Sequence, residues 1–436
     1  MGVDPTREPT AREARLTAIS LVLMFFGMLL SHKVAGRLAI SNIAQILALL
    51  MLFRAFPRAL RARDLGWLLL AIAAVVVAAL SVYSTYGYEI QPQHTAFFFV
   101  SALYLLVWYR ATQAADLRPT ADQTLRRLVL PMFAYLGFHT ALDVGAGEPM
   151  TDMGFDDKSH AAVAASFFAF IVLRVWNGPL KLPIAAGFVA MALLTASRLP
   201  VIMLPFFVIA FAIEYRRERR RAQYAWQVYL CHATVAVGAG VGALLIRANL
   251  DVFHVLTRLG PDAASSAQSS TRAHLLLIWY GLQIKFDNAM NFFFGVTPGG
   301  YAGTVYRSSI DISELRQGWG LGAMAAGTAP MHSAHTSIFT EFPFPVFLLY
   351  AVLLAWLCVR LLRAREFTVL LGHLGFVSAT LFYSSHNEAF FYAVLAYLIV
   401  VVHGRQVTRA AARGSSSNAR GSPLARPLGP RRNAPV

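Results

Sequence analysis

The sequence predicts an all-α polytopic membrane protein with about twelve transmembrane helices, and its composition and hydropathy carry that prediction. Of the 436 residues, 57% are hydrophobic and only 14% are charged, and the mean hydropathy is +0.54. Such a chain is too apolar for a soluble globular domain. Apolar runs near the length that crosses a ~30 Å hydrocarbon layer recur along the chain. They begin near Leu16, Leu38, Leu65, Thr95, Leu128, Ala161, Leu182, Leu199, Tyr224, Phe344, Thr368 and Ala389.

The division between the seventh and eighth predicted spans rests on length. As one helix, residues 182–213 would be about 48 Å long at 1.5 Å per residue. That exceeds what one crossing needs, even for a tilted helix. We therefore predict two helices here; the alternative is one long helix broken at Pro200.

The distribution of arginine predicts the orientation, because short loops rich in Lys and Arg stay in the cytoplasm. Arginines cluster after the second, fourth, eighth and tenth predicted spans and in the tail, whereas the loop at 143–158 is acidic. Both termini are therefore predicted to be cytoplasmic. The net charge of +16 then reflects orientation and attraction to anionic lipid. Without a groove of basic and aromatic residues, it does not indicate nucleic-acid binding.

The predicted organisation has five parts. They are a cytoplasmic N-terminus (1–15), nine spans (16–247), one large periplasmic loop (248–342), three spans (343–404) and a basic, disordered cytoplasmic tail (405–436). The tail is too polar to be buried. The two cysteines fall within predicted spans and indicate neither a disulfide framework nor a metal site.

The function is expected to reside in the loop 248–342, because the chain otherwise has short loops. Within it, residues 271–284 carry apolar side chains at helical spacing, and Ser270 or Thr271 can cap the helix. This pattern predicts amphipathic helices at the membrane surface. A turn rich in glycine follows at 295–301, and its glycines would let the backbone approach a ligand closely.

Several residues in and around this loop occur in a distinctive order. Arg272 is followed by Trp279, then by Gly295, Gly299 and Tyr301, and then by His335 and Glu341. This order resembles the outer-face signature of the bacterial O-antigen ligase and O-antigen or exopolysaccharide polymerase superfamily. The stretches 156–160, which holds Lys158, and 195–198, which holds Arg198, are similar to that family's corresponding segments. The sequence departs from the family pattern at Thr336, where an asparagine is usual, and at 342–344, where a glycine is expected.

The resemblance implies a GT-C-like membrane glycosyltransferase that acts at the periplasmic face. Its donor would be a glycan linked to undecaprenyl diphosphate in the lipid bilayer, and the family uses no metal or other cofactor. The resemblance leaves open whether a polysaccharide chain-length regulator is a partner. It also leaves open the sugar, the linkage and the acceptor.

The residue types suit that chemistry on independent grounds. Negative charge develops on a leaving diphosphate, and fixed cations in a water-poor site stabilise it. Arginine binds phosphate with a planar fork and stays protonated, so Arg198 and Arg272 are the predicted cations. A histidine with a pKa of about 6.5 can take the proton of an acceptor hydroxyl at neutral pH. His335 is the first candidate for this base and His332 the second.

Further side chains are predicted to bind the substrate, namely His332, Glu341, Trp279, Lys158 and Tyr301. Polar residues at 156–157 and 386–388 could also contact sugar hydroxyls. Each assignment has an alternative without chemistry. An arginine at a span end also reaches toward lipid head groups, an arginine on an interfacial helix anchors it, and a histidine or glutamate beside a span caps it.

Two activities of this family, and one of another class, remain as alternatives. A polymerase joins repeat units, whereas a ligase moves finished polymer onto the lipid A core. The departures at Thr336 and Phe342 favour the polymerase, and no sequence feature indicates a binding site for the lipid A core. The third alternative is a lipid-linked oligosaccharide flippase or another transporter. Transporters usually place coupling charges at the bilayer midplane, but these predicted spans contain almost no acidic residue.

Overall fold

The computed structural model describes residues 7–27, 33–35, 38–88, 92–147, 151–155, 158–195, 197–222, 224–247, 270–315, 319–383 and 389–403. This part of the chain is helical apart from one short antiparallel hairpin, β1 (Lys33–Ala35) with β2 (Leu38–Ala39). The predicted all-α class is therefore confirmed for it. The predicted disordered tail lies outside the described residues.

The helices follow in chain order. They are α1 (Ala11–Gly27), α2 (Ile40–Ala55), α3 (Ala62–Tyr86), α4 (Pro92–Ala114), α5 (Arg118–Gly145), α6 (Lys158–Val175), α7 (Lys181–Leu194), α8 (Arg198–Arg221), α9 (Ala225–Arg247), α10 (Ser270–Phe286), α11 (Ala289–Phe294), α12 (Tyr301–Arg307), α13 (Trp319–Ala325), α14 (Ala334–Glu341), α15 (Phe344–Ala364), α16 (Phe367–Thr380) and α17 (Ala389–His403). A 3₁₀ turn (Ser313–Leu315) lies between α12 and α13.

Length and composition indicate a membrane protein. Among the described residues, six helices are long and apolar enough to cross a membrane, namely α3, α4, α5, α6, α8 and α15. Four more are apolar but shorter, namely α2, α7, α16 and α17. Every predicted span overlaps one helix, α1 to α9 or α15 to α17.

Residues 182–213 belong to two helices, as predicted. Helix α7 ends at Leu194 and α8 begins at Arg198, so the break precedes Pro200. Ser197 caps α8, because its backbone is extended and its hydroxyl accepts a hydrogen bond from the Leu199 amide at 3.4 Å. Pro200 lies in the first turn, where a missing N–H is tolerated. This capping therefore places Arg198 at the start of a candidate span.

Ion pairs show how the bundle helices alternate in direction. At one end, Arg174 near the end of α6 pairs with Asp122 near the start of α5. At the same end, Lys181 at the start of α7 lies 3.2 Å from the carboxylate of Glu214 near the end of α8. We call this end, which holds Arg174 and Lys181, the basic end. The opposite end, which holds Arg198, is the histidine end.

Residues 270–315 and 319–342 form a folded cap rather than an extended loop. A helix forms where the amphipathic helix was predicted, namely α10, whose residues Leu277, Tyr280 and Ile284 are buried in a core separate from that of the bundle. Its place at a membrane surface stays a prediction. The cap rests on the C-terminus of α3, where the Tyr86 hydroxyl donates to the Asp287 carboxylate at 2.6 Å. The described part of the predicted loop is thus positioned at the histidine end by its own packing.

The glycine-rich turn serves this packing. Gly295 has a φ of +81°, and a Cβ there would lie 2.6 Å from the backbone carbonyl of Glu341. The next amide, that of Val296, donates to the Thr340 carbonyl at 3.0 Å. The space beside Gly295 is therefore filled by protein backbone. The expectation that glycines of this turn open the backbone to a ligand does not hold at this position.

Replacing Gly295 with alanine is expected to destabilise the cap by about 1–3 kcal/mol, because the new side chain combines backbone strain with a steric overlap. Thermal unfolding of the purified protein measures the effect. Gly66→Ala is the matched control, since a Cβ at Gly66 on α3 meets nothing within 4 Å. Equal melting temperatures for the two variants would contradict the packing role of Gly295.

Candidate functional site

Three side chains from distant parts of the sequence meet at the histidine end. The Arg198 guanidinium, at the start of α8, is hydrogen-bonded to Nδ1 of His274 on α10. The His274 ring stacks on that of His332, with centroids 3.7 Å apart and an angle of 16° between the planes. The sequence prediction included Arg198 and His332 but missed His274.

The electrostatics of this cluster determine the state of His274. Burial and the nearby His332 and Arg198 lower the pKa of His274 to about 3. The ring is therefore neutral at pH 7. Since guanidinium is only a donor, Nδ1 of His274 must be the acceptor and the proton must lie on Nε2. His274 thus orients Arg198 without adding an opposing negative charge.

The backbone around His332 is held in an uncommon conformation. Its φ of +55° lies in the left-handed region, and such a backbone costs a non-glycine residue about 1–2 kcal/mol. Strain of this kind concentrates at functional sites. Just beyond it, the Ala334 amide donates to the Tyr383 carbonyl at 2.9 Å. The Tyr383 ring packs against His160 at 5.2 Å between centroids, so the start of α6 reaches the same end of the bundle.

Arg272 occupies a different side of α10. Its guanidinium pairs with the Glu314 carboxylate at 2.6 Å, and both side chains are partly exposed. Residues two apart on an α-helix leave it about 200° apart, so Arg272 points away from the side that His274 presents to Arg198. An exposed ion pair contributes about 0–1 kcal/mol to stability. An anionic ligand could therefore displace Glu314 from Arg272 with little loss of stability.

His335 lies between the cap and the bundle with both ring nitrogens engaged. Its Nε2 donates to the Val377 carbonyl at 3.0 Å and lies 3.1 Å from the Thr380 hydroxyl. Its Nδ1 accepts from the Tyr350 hydroxyl at 2.8 Å, and burial lowers the pKa of His335. In this conformation His335 joins α14 to α15 and α16. To act as a base it would have to release Tyr350 or take a proton through it.

The other predicted substrate-binding residues are dispersed. Trp279 is exposed on α10, Lys158 is the first residue of α6 and half-buried, and Glu341 is buried at the end of α14. Tyr301 is buried in the cap core, where its hydroxyl donates to the Leu277 carbonyl at 2.5 Å. Contact between Tyr301 and a substrate would require that core to open. The candidates at 156–157 and 386–388 lie outside the described residues.

A signal for His274 exists in the sequence. It precedes the buried Leu277 by three residues, so it continues the buried stripe of α10. A titratable side chain on the buried face of an amphipathic helix is a candidate for a buried polar contact. Tyr350 has no such signal, because it lies within an apolar span.

The geometry suits an anion better than a metal. Across the described ranges, no group of three or more His, Cys, Asp or Glu side chains could hold a metal ion. The guanidinium of Arg198, oriented by a neutral imidazole, is suited to bind phosphate. No protein-family model matches the chain, and comparison with curated proteins found no match either.

Proposed function

We propose that this protein is a membrane glycosyltransferase that polymerises O-antigen or exopolysaccharide repeat units, using a glycan linked to undecaprenyl diphosphate as donor. The observation that carries the proposal is the cluster of Arg198, His274 and His332 at one end of a bundle of apolar helices. The resemblance in residue order supports it. In this proposal the chain has about twelve spans, both termini are cytoplasmic, and the histidine end faces the periplasm of a bacterial inner membrane.

The position of Arg198 fits a lipid-linked diphosphate. Such a donor keeps its polyprenyl chain among the lipid tails and its two phosphates at the membrane surface. Arg198 is the first residue of a candidate span, so its side chain lies at that level. As the bond to the sugar breaks, negative charge develops on the diphosphate, and a guanidinium already oriented by His274 stabilises that charge. Arg272 points away from this cluster and pairs with Glu314, so it takes no part in this step.

A histidine takes the proton of the acceptor hydroxyl. The geometry favours His332 in this role over His335, because the His332 ring stacks on His274 and so lies near Arg198. Both nitrogens of His335 are engaged within the bundle. His335 then positions α14, which follows His332 directly. This order of preference reverses the one drawn from sequence alone.

The test uses a deletion strain complemented with wild type, Arg198→Ala, Arg272→Ala, His332→Ala or His335→Ala, with membrane levels matched by immunoblot. Surface polysaccharide is then separated on gels. Arg219→Ala, at the other end of α8, is the matched control and should support normal polymer. For a polymerase, Arg198→Ala leaves single repeat units on the lipid A core.

Other results would change the proposal in defined ways. Long polymer that accumulates on undecaprenyl diphosphate would identify a ligase. Normal polysaccharide in both Arg198→Ala and His332→Ala would remove the catalytic assignment and favour a flippase or another transporter.

A further inference from the structure

A cavity of about 170 Å³ lies at the basic end, far from the candidate site. It is enclosed by the turn between α6 and α7, the end of α8 and the start of α9. Its polar lining consists of Glu218, Arg221 and Gln227, and Leu182 and Cys231 contribute apolar surface. The cavity therefore combines one cation, one anion and an amide within a partly apolar wall.

The charges around the cavity leave Arg221 in excess. Lys181 lies 3.0 Å from the Glu218 carboxylate and 3.2 Å from that of Glu214. Arg217 also pairs with Glu214. The two positive and two negative charges of these four side chains therefore cancel. Arg221 makes no ion pair within the part of the chain that the structure describes. Its guanidinium thus adds a net positive charge to the cavity.

The cavity lies at the level of a membrane surface. From Arg198 to Arg221, α8 rises about 35 Å at 1.5 Å per residue, which is close to the ~30 Å thickness of the hydrocarbon layer. Beside the cavity, Tyr224, Trp226 and Tyr229 are exposed around the start of α9. Exposed tyrosine and tryptophan at helix ends are typical of the interface where lipid head groups lie. The two ends of α8 are therefore at opposite surfaces.

We infer that this cavity binds the headgroup of an anionic phospholipid with hydroxyl groups, such as phosphatidylglycerol. The phosphate binds to Arg221, whose planar fork matches two phosphate oxygens. The glycerol hydroxyls donate to the Glu218 carboxylate, which has acceptor sites beyond those used by Lys181. The lipid ties the turn between α6 and α7 to α9, which holds the periphery of the bundle in place. The inference does not depend on the proposed transfer reaction.

Native mass spectrometry of the purified full-length protein in a neutral detergent tests this site. Phosphatidylglycerol, phosphatidylcholine and inorganic phosphate are added separately to wild type, Arg221→Gln and Arg219→Gln. Arg219→Gln removes the same charge from the same helix end but from outside the cavity lining. We expect phosphatidylglycerol to bind Arg221→Gln about tenfold more weakly than wild type, because a charge-assisted hydrogen bond is lost. Arg219→Gln should bind like wild type.

Three outcomes would overturn the inference. Equal weakening in Arg221→Gln and Arg219→Gln would indicate diffuse attraction to the basic end. Equal binding of phosphatidylcholine and phosphatidylglycerol by wild type would remove the requirement for an anionic headgroup. Inorganic phosphate that binds as tightly as phosphatidylglycerol would assign the cavity to a soluble anion. Melting temperatures of both variants, measured without lipid, show that each is folded.

Discussion

Replacing Arg198 with alanine is expected to lower the rate of the proposed glycan transfer by about 100- to 1,000-fold, the usual effect of removing one group that stabilises transition-state charge. Arg198→Lys should be less severe, about tenfold, because lysine keeps the charge but lacks the planar fork. The measurement is kcat and KM for purified protein with a lipid-linked repeat unit. A loss mainly in kcat shows that Arg198 acts on the transition state rather than on substrate binding alone.

His274 offers an internal check on this prediction. His274→Ala removes the acceptor that orients Arg198, whereas His274→Gln supplies an amide oxygen that can accept from the guanidinium. We expect His274→Gln to retain more of the wild-type kcat than His274→Ala. Arg219→Ala again serves as the charge-matched control on α8. If Arg198→Ala kept half of the wild-type rate, Arg198 would have no role in the chemistry.

Replacing Lys285 with methionine is expected to change how stability depends on pH. Lys285 is completely buried, its Nζ donates to the Phe342 carbonyl at 3.1 Å, and the ammonium lies 5.2 Å from the centre of the Phe339 ring. Neither contact supplies a negative charge. Burial accordingly lowers the pKa of Lys285 to about 8, from an ordinary value of 10.5.

The direction of the effect follows from proton binding. Between pH 8 and pH 10.5 the unfolded chain keeps the lysine proton while the folded protein loses it, so stability rises with pH in this range. The difference between the two pKa values corresponds to about 3 kcal/mol. The measurement is the difference in melting temperature between wild type and Lys285→Met from pH 7 to pH 10.5. Taking this difference cancels the effects of the other titrating groups, which both proteins share.

Lys285→Met should be more stable than wild type at pH 7, since it removes a buried charge that no carboxylate compensates. Its advantage should shrink as the pH rises toward 10.5. Lys285→Arg is the matched variant that keeps its charge throughout, and it should be destabilised at every pH. Parallel curves for wild type and Lys285→Met would show that the pKa of Lys285 is not lowered in the folded protein.

The helices were predictable because each depends on properties of a continuous segment. Apolar length determines where a span can lie, and a serine beside a helix start supplies a cap. The break between α7 and α8 and the helix at 270–286 follow from such local features. For the same reason Arg198 could be predicted at the mouth of a span before any contact was known.

The candidate site was predictable only in part, because it depends on contacts between distant segments. The bond between Arg198 and His274 joins residues 76 apart in the chain, and how the cap docks onto the bundle determines it. The sequence grouped Arg198 with Arg272, but helix geometry turns Arg272 toward Glu314. Nothing local to His335 indicates that Tyr350 and Val377 occupy its two nitrogens.

Local properties of the chain were enough to predict the class of this protein, the positions of its long apolar helices and of α10, and two residues of the Arg198 cluster. These follow from hydropathy, helix capping and residue chemistry, which act over a few turns of chain. Three features depend instead on tertiary packing: His274 completes the cluster, Gly295 fits against backbone, and Lys285 is buried without a carboxylate. Those outcomes depend on which surfaces pack together. Packing brings together residues that are far apart in the chain, and no local sequence pattern predicts such contacts.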